Sequence, residues 1–113
     1  WDEPQNIKYN SNGTSSVINS EGQNIASLRP IDTVLFDKKV SFIKMDIEGA
    51  VLDCLKSADN LIKTLKPKLA ICLYHKPMDL FTIPLYLKSI VPQYRFKLRQ
   101  HHHPIFDTVL YAF

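Results

Sequence analysis

The order of apolar segments predicts an α/β fold, an open sheet with parallel central strands and a C-terminal antiparallel strand pair. Three observations carry that expectation. Two apolar, β-branched runs of strand length, 40–45 and 68–74, are separated by a helical stripe, the pattern of a parallel strand–helix–strand unit. A second helical stripe follows at 79–90. The last two strand-like runs, 94–99 and 108–113, are joined by too few residues for a crossover helix, so they pair antiparallel.

Each element has its own justification. Residues 1–30 read as an irregular segment: Asn6 to Asn10 has strand character, Ser11 to Ser20 is a loop or loose hairpin, and Ile25 and Ser27 allow another edge strand. Pro30 opens a short helical turn where its missing N–H does no harm. The α/β core spans 39–113. Val40 to Met45 is the first central strand, and Gly49 marks its exit into a helix. Val51, Leu55, Ala58, Ile62 and Leu65 then recur on a 3.6-residue period. Ser57 to Asn60 interrupts them with weak helix formers, which predicts a bend or two consecutive pieces, and Pro67 ends the stripe. Lys68 to Tyr74 is apolar at nearly every position and reads as a strand buried on both faces. Asp79 is expected to cap the next helix, with Leu80, Ile83, Leu87 and Ile90 inward and Pro84 confining the regular part to Thr82 onward.

Size and composition bound the function. A chain of 113 residues supports one domain, and 45% apolar with 22% charged residues excludes a disordered tail or fibrous repeat. The longest apolar run, Leu69 to Tyr74, is far short of the roughly 20 residues that span a bilayer. No charged-then-apolar leader opens the chain, so no membrane span and a cytoplasmic location are expected. Residues 1–61 carry six basic and nine acidic side chains, whereas 62–113 carry eight and two. The basic half admits an anionic partner, but no RNA-binding signature accompanies it, so a nucleic-acid partner is not expected.

In an open parallel sheet, ligands bind outside the carboxyl ends of the strands. Those ends are Met45-Asp46-Ile47-Glu48-Gly49 and Cys72-Leu73-Tyr74-His75-Lys76. With adjacent strands about 4.8 Å apart and a right-handed crossover, the Asp46 carboxylate and His75 imidazole fall within roughly 5–10 Å of each other. Two carboxylates and an imidazole on one edge can exchange protons or hold a cation. Plainer uses compete: Asp46 or Glu48 can cap the following helix, and a lone histidine serves structure as readily as chemistry. Their position at the ends of two successive strands favours function. His101-His102-His103 is read as a loop or structural feature rather than a metal site, because only alternate neighbours in an extended segment share a face and no further ligands stand nearby. Cys54 and Cys72 sit in apolar runs without an activating neighbour and read as buried, reduced thiols. No Gly-rich strand-to-helix turn and no nucleophile elbow occurs.

Several of these segments, in order, resemble a known family. VSFIKMDIEGAV (40–51), Leu61-Ile62, PKLAICLYHKP (67–77), Asp79-Leu80, Ile83-Pro84, Tyr86-Leu87, Tyr94, Arg99 with its following histidines, and Thr108-Val109-Leu110-Tyr111 are similar to the C-terminal half of FkbM-type methyltransferases. Ile31-Asp32 resembles the turn preceding the IKMDIEG strand. The resemblance implies a partial Rossmann-like sheet and S-adenosylmethionine as cofactor. It also implies O-methylation of a small-molecule acceptor, a hydroxyl of a sugar or polyketide-like compound. It places Asp46 and Glu48 at the cofactor, Glu48, Tyr74, His75 and Lys76 at the acceptor, and His75 or Asp46 as the base. Val51 departs from the family, which continues there with a second acidic residue. The family's Gly-rich cofactor turn and the acidic residue ending its second strand have no counterpart here. The chain is therefore expected to be a truncated domain, not competent alone, with the edge of 40–45 open to pairing and to a homodimer. The rival expectation is a non-catalytic α/β interaction module that binds an anionic partner through the basic half.

Overall fold

A computed structural model describes residues 3–12, 15–102 and 107–113. Residues 1–30, expected to be irregular, hold three strands: β1 (Gln5–Asn12), β2 (Ser15–Ile18) and β3 (Asn24–Leu28), antiparallel in the order β2-β1-β3. Polar side chains organise the turn before β3. Asn19 Oδ1 accepts from the Glu21 amide and Asn10 Oδ1 from the Gln23 amide, both at 3.0 Å. Gly22 lies so close to β1 that an added Cβ would stand 2.4 Å from the Tyr9 backbone nitrogen. The Asn- and Gly-rich composition thus builds turn contacts rather than a loose loop.

After α1 (Ile31–Val34) come β4 (Phe42–Met45), α2 (Val51–Lys56), α3 (Asp59–Leu65), β5 (Lys68–Cys72), α4 (Asp79–Ile90), β6 (Phe96–Gln100) and β7 (Thr108–Ala112). The second sheet has the order β4-β5-β7-β6. β4 and β5 are parallel, with Met45 opposite Ile71, and β7 runs antiparallel to both β5 and β6. The predicted mixed α/β fold, its parallel pair and its terminal antiparallel pair are all present.

The predicted break between helices falls at Ser57-Ala58 and is held by hydrogen bonds. Ser57 Oγ donates to the Cys54 carbonyl at 2.7 Å. The Asp32 carboxylate, on α1, accepts from the Asn60 and Leu61 amides at 2.9 and 2.7 Å, capping α3 from a distant part of the chain. Val51, Leu55, Ala58 and Ile62 are fully buried, with Leu69, Ile71, Leu73, Ile83, Leu87 and Leu110 in the same core. Leu65 is exposed, contrary to expectation, because the break changes the helix phase and α3 turns Leu61 and Ile62 inward.

α4 also differs from the reading of its sequence. It begins at Asp79 and carries Pro84 inside it, with Met78 as N-cap and no capping bond from the Asp79 side chain. The Met78 carbonyl accepts from both the Phe81 and Thr82 amides, so the helix is nucleated before the proline, and Pro84 forfeits one bond. Its buried stripe is Asp79, Ile83 and Leu87, which leaves Leu80 one position out of phase and 39% exposed. Tyr94 closes the core: it is buried, donates from Oη to the Pro67 carbonyl at 2.6 Å, and burial pushes its phenol up to about 12. Ala70, Cys72 and Val109, with Tyr74 and Tyr111 against them, form a smaller cluster separate from the main core.

Candidate active site at the rim of the parallel strands

The parallel register fixes the site. One step past Met45 and Ile71, Asp46 and Cys72 emerge side by side from β4 and β5. Alternation along the chain then sends Cys72 and Tyr74 to the same side. The Asp46 turn is closed by the Ala50 amide donating to the Ile47 carbonyl at 2.8 Å, with Gly49 in the left-handed region at φ 74°. The Lys76 stem lies where a Gly49 side chain would be: an added Cβ would sit 2.8 Å from Lys76 Cε. Glycine is favoured there by the left-handed conformation, and a side chain at 49 would also have to move the flexible Lys76 stem aside.

On this frame, Asp46 and His75 meet within hydrogen-bonding distance, closer than the range predicted from strand spacing. His75 Nε2 lies 3.1 Å from Asp46 Oδ1, and His75 Nδ1 lies 3.5 Å from Glu48 Oε2. Tyr74 Oη donates to the same Asp46 Oδ1 at 2.7 Å, and its ring stands 4.1 Å from the imidazole, centroid to centroid. The His75 side chain is 11% exposed, Asp46 39% and Glu48 62%, so the ring is sheltered and the carboxylates face solvent. No side-chain bond caps α2, which removes helix capping as the use of either carboxylate.

The electrostatics follow from these contacts. Partial burial pushes the Asp46 carboxyl up, but hydrogen bonds from Tyr74, His75 and Cys72 outweigh it, and the net shift is below the usual aspartate value. The same proximity acts oppositely on the donors. The bond to Asp46, then burial, raises the Tyr74 phenol, and burial followed by the Asp46 charge pushes the Cys72 thiol up to about 11. At neutral pH the cluster therefore holds an ionised Asp46 and protonated Tyr74 and Cys72.

Asp46, Glu48, Tyr74 and His75 are thus brought together, and Lys76 borders them across Gly49. Cys72 is a buried free thiol, as the sequence suggested, and belongs to the small apolar cluster against which Tyr74 packs. The parallel register and the two-residue spacing to Tyr74 are the signal that places it beneath the site. The histidine run lies elsewhere. His101 Nε2 is 2.8 Å from Tyr111 Oη, and His103 falls outside the described residues. No group of three metal-ligating side chains with suitable geometry occurs among the described residues, and no helix there is long and apolar enough to cross a membrane.

Comparison with known proteins identifies the lineage of this rim. The profile of the methyltransferase FkbM domain matches residues 3–103. The chain belongs to the FkbM methyltransferase family. This FkbM chain is also similar to the crystal structure of methyltransferase FkbM from Methylobacillus flagellatus KT, with 45% identity and a TM-score of 0.74. The match covers 79% of this chain and 24% of the bacterial one, so the FkbM chain spans about a quarter of that protein's length. No curated protein matches it.

Proposed function

We propose that this FkbM chain contributes the acceptor-side rim of an S-adenosylmethionine-dependent O-methyltransferase acting on a hydroxyl of a sugar or another small metabolite. The observation that carries this reading is the His75 imidazole held between the Asp46 and Glu48 carboxylates at the ends of two adjacent parallel strands. A neutral imidazole donates from one nitrogen and accepts at the other. With Nε2–H directed to the buttressed Asp46, Nδ1 is left to accept the proton of an acceptor hydroxyl. The exposed Glu48 carboxylate lies 3.5 Å from Nδ1, so an acceptor would enter there by displacing it. Once protonated, the ring donates to Asp46, as an imidazole base oriented by an aspartate does, and to Glu48 when the product has left.

The residues present fit the charge of the cofactor. S-adenosylmethionine, when bound, supplies an electrophilic methyl group on a positively charged sulfur. Asp46, held ionised by its donors, and the exposed Glu48 favour a positive charge at this rim. Incubation of the full-length gene product with methyl-labelled S-adenosylmethionine and a panel of sugars and polyketide alcohols tests the reading. Label on an acceptor oxygen supports it. Folded protein that labels only nitrogen or carbon, or nothing in the panel, contradicts it.

One observation favours a second reading. A shallow groove of about 530 Å³ is lined by Lys97, Leu98, Arg99, Tyr111 and Phe113, with no acidic side chain. An anionic partner bound there would make the chain an interaction module. Tight polyanion binding by a protein without methyl transfer is the result that selects it.

A further inference from the structure

The geometry points to Tyr74 as a positioning residue that clamps the Asp46 carboxylate against His75, so that Asp46 orients the ring and is not itself the base. This rests on the reading of His75 as the proton acceptor and deepens it.

Two donors converge on one carboxylate oxygen. Tyr74 Oη and His75 Nε2 share Asp46 Oδ1, at 2.7 and 3.1 Å. Asp46 is 39% exposed, so water alone could solvate it, and fold stability has little need of two protein donors on one oxygen there. Fixing an orientation does need them. A carboxylate with one oxygen bonded from two directions cannot swing away, and the imidazole it meets keeps a single ring angle. The same bonds make Asp46 a poor proton acceptor, since each donor favours its charged form. Tyr74 adds a second restraint through its ring, which packs beside the imidazole at a 41° tilt. Tyr74 packs against the small cluster that holds Cys72 of β5, and its segment is tied to β7 through the Leu73 amide and the Thr108 carbonyl, 2.9 Å apart. The clamp is therefore built on the sheet and not on the exposed turn that carries Glu48.

Two measurements test this. In the 113-residue chain, the Asp46 carboxyl is titrated by carbon NMR in the wild type and Tyr74→Phe. An upward shift in Tyr74→Phe is expected; no shift overturns the clamp. In the full-length gene product, Tyr74→Phe is expected to lower kcat at least tenfold with KM for S-adenosylmethionine changed less than twofold. In an Asp46→Asn background, the same substitution should change kcat less than twofold. An equal loss in both backgrounds overturns the proposal and leaves His75 catalysis standing, because Tyr74 then acts independently of Asp46. Wild-type turnover in Asp46→Asn and in His75→Ala overturns the catalytic reading and this one together. Tyr74→Phe removes one exposed hydroxyl and keeps the ring, so the variant is expected to fold.

Discussion

The Nε2 of His75 lies 3.1 Å from Oδ1 of Asp46, two residues separated by 29 positions in the chain. One helical crossover between two parallel strands accounts for the meeting, since Asp46 leaves β4 where Cys72 leaves β5 and His75 follows three residues on. The consequences reach both stability and chemistry.

Asp32 ties α1 to the start of α3 by accepting two amides, a remote equivalent of an N-cap. Replacing it with alanine should lower stability by about 1–2 kcal/mol, in line with the loss of a good capping side chain. Urea unfolding measures this, and Asp32→Asn should recover part of the loss. A midpoint unchanged in Asp32→Ala would show that water replaces the carboxylate without penalty.

Gly49 has φ 74°, and the Lys76 stem fills its side-chain space. Gly49→Ala should destabilise the chain by about 1–2 kcal/mol from the left-handed conformation alone. Displacement of Lys76 adds to this, and only that second part should vanish in a Lys76→Ala background. A double-mutant cycle with zero coupling would mean that the lysine stem moves freely.

The lowered carboxyl of Asp46 makes a pH prediction of definite sign. A carboxyl more acidic in the folded state contributes stability that is present above the ordinary value of 3.8 and is lost as pH falls through the folded value below it. The stability difference between wild type and Asp46→Asn should therefore be constant from pH 7 to about 5 and shrink below about pH 4. A difference that grows on acidification would reverse the assigned shift.

Among the described residues β4 pairs only with β5, which leaves it as an edge, and Phe42 on it is 56% exposed. Such an edge is open to association through its free backbone groups. Sedimentation of the 113-residue chain should show mass rising with concentration, and Lys44→Pro, which removes an N–H that faces away from β5, should abolish the rise. Monomer at every concentration would rule out pairing through this edge.

Much of this arrangement is legible in the sequence, for physical reasons that differ by region. The parallel pair and its helices are readable because burial forces periodicity: Val51, Leu55, Ala58 and Ile62 cannot be rearranged without exposing the core. The nearness of Asp46 and His75 follows from strand spacing and crossover hand. The first sheet is harder to read because its turns depend on Asn10, Asn19 and Gly22, and these residue types also make loops. Leu80 misleads because Asp79, a polar residue, occupies the buried position of the stripe. The sharing of Asp46 Oδ1 by Tyr74 and His75 depends on side-chain directions past the last paired residues, where periodicity no longer constrains them.

The central claim is that His75 and Asp46 act as one proton-accepting unit, and turnover of the full-length gene product in a double-mutant cycle tests it most directly. His75→Ala and Asp46→Asn, each shown by circular dichroism to be folded, should lose about 100-fold or more in kcat, as removal of general-base catalysis does. The double variant should be no slower than His75→Ala. Single variants that turn over at the wild-type rate, or losses that multiply in the double variant, would contradict it.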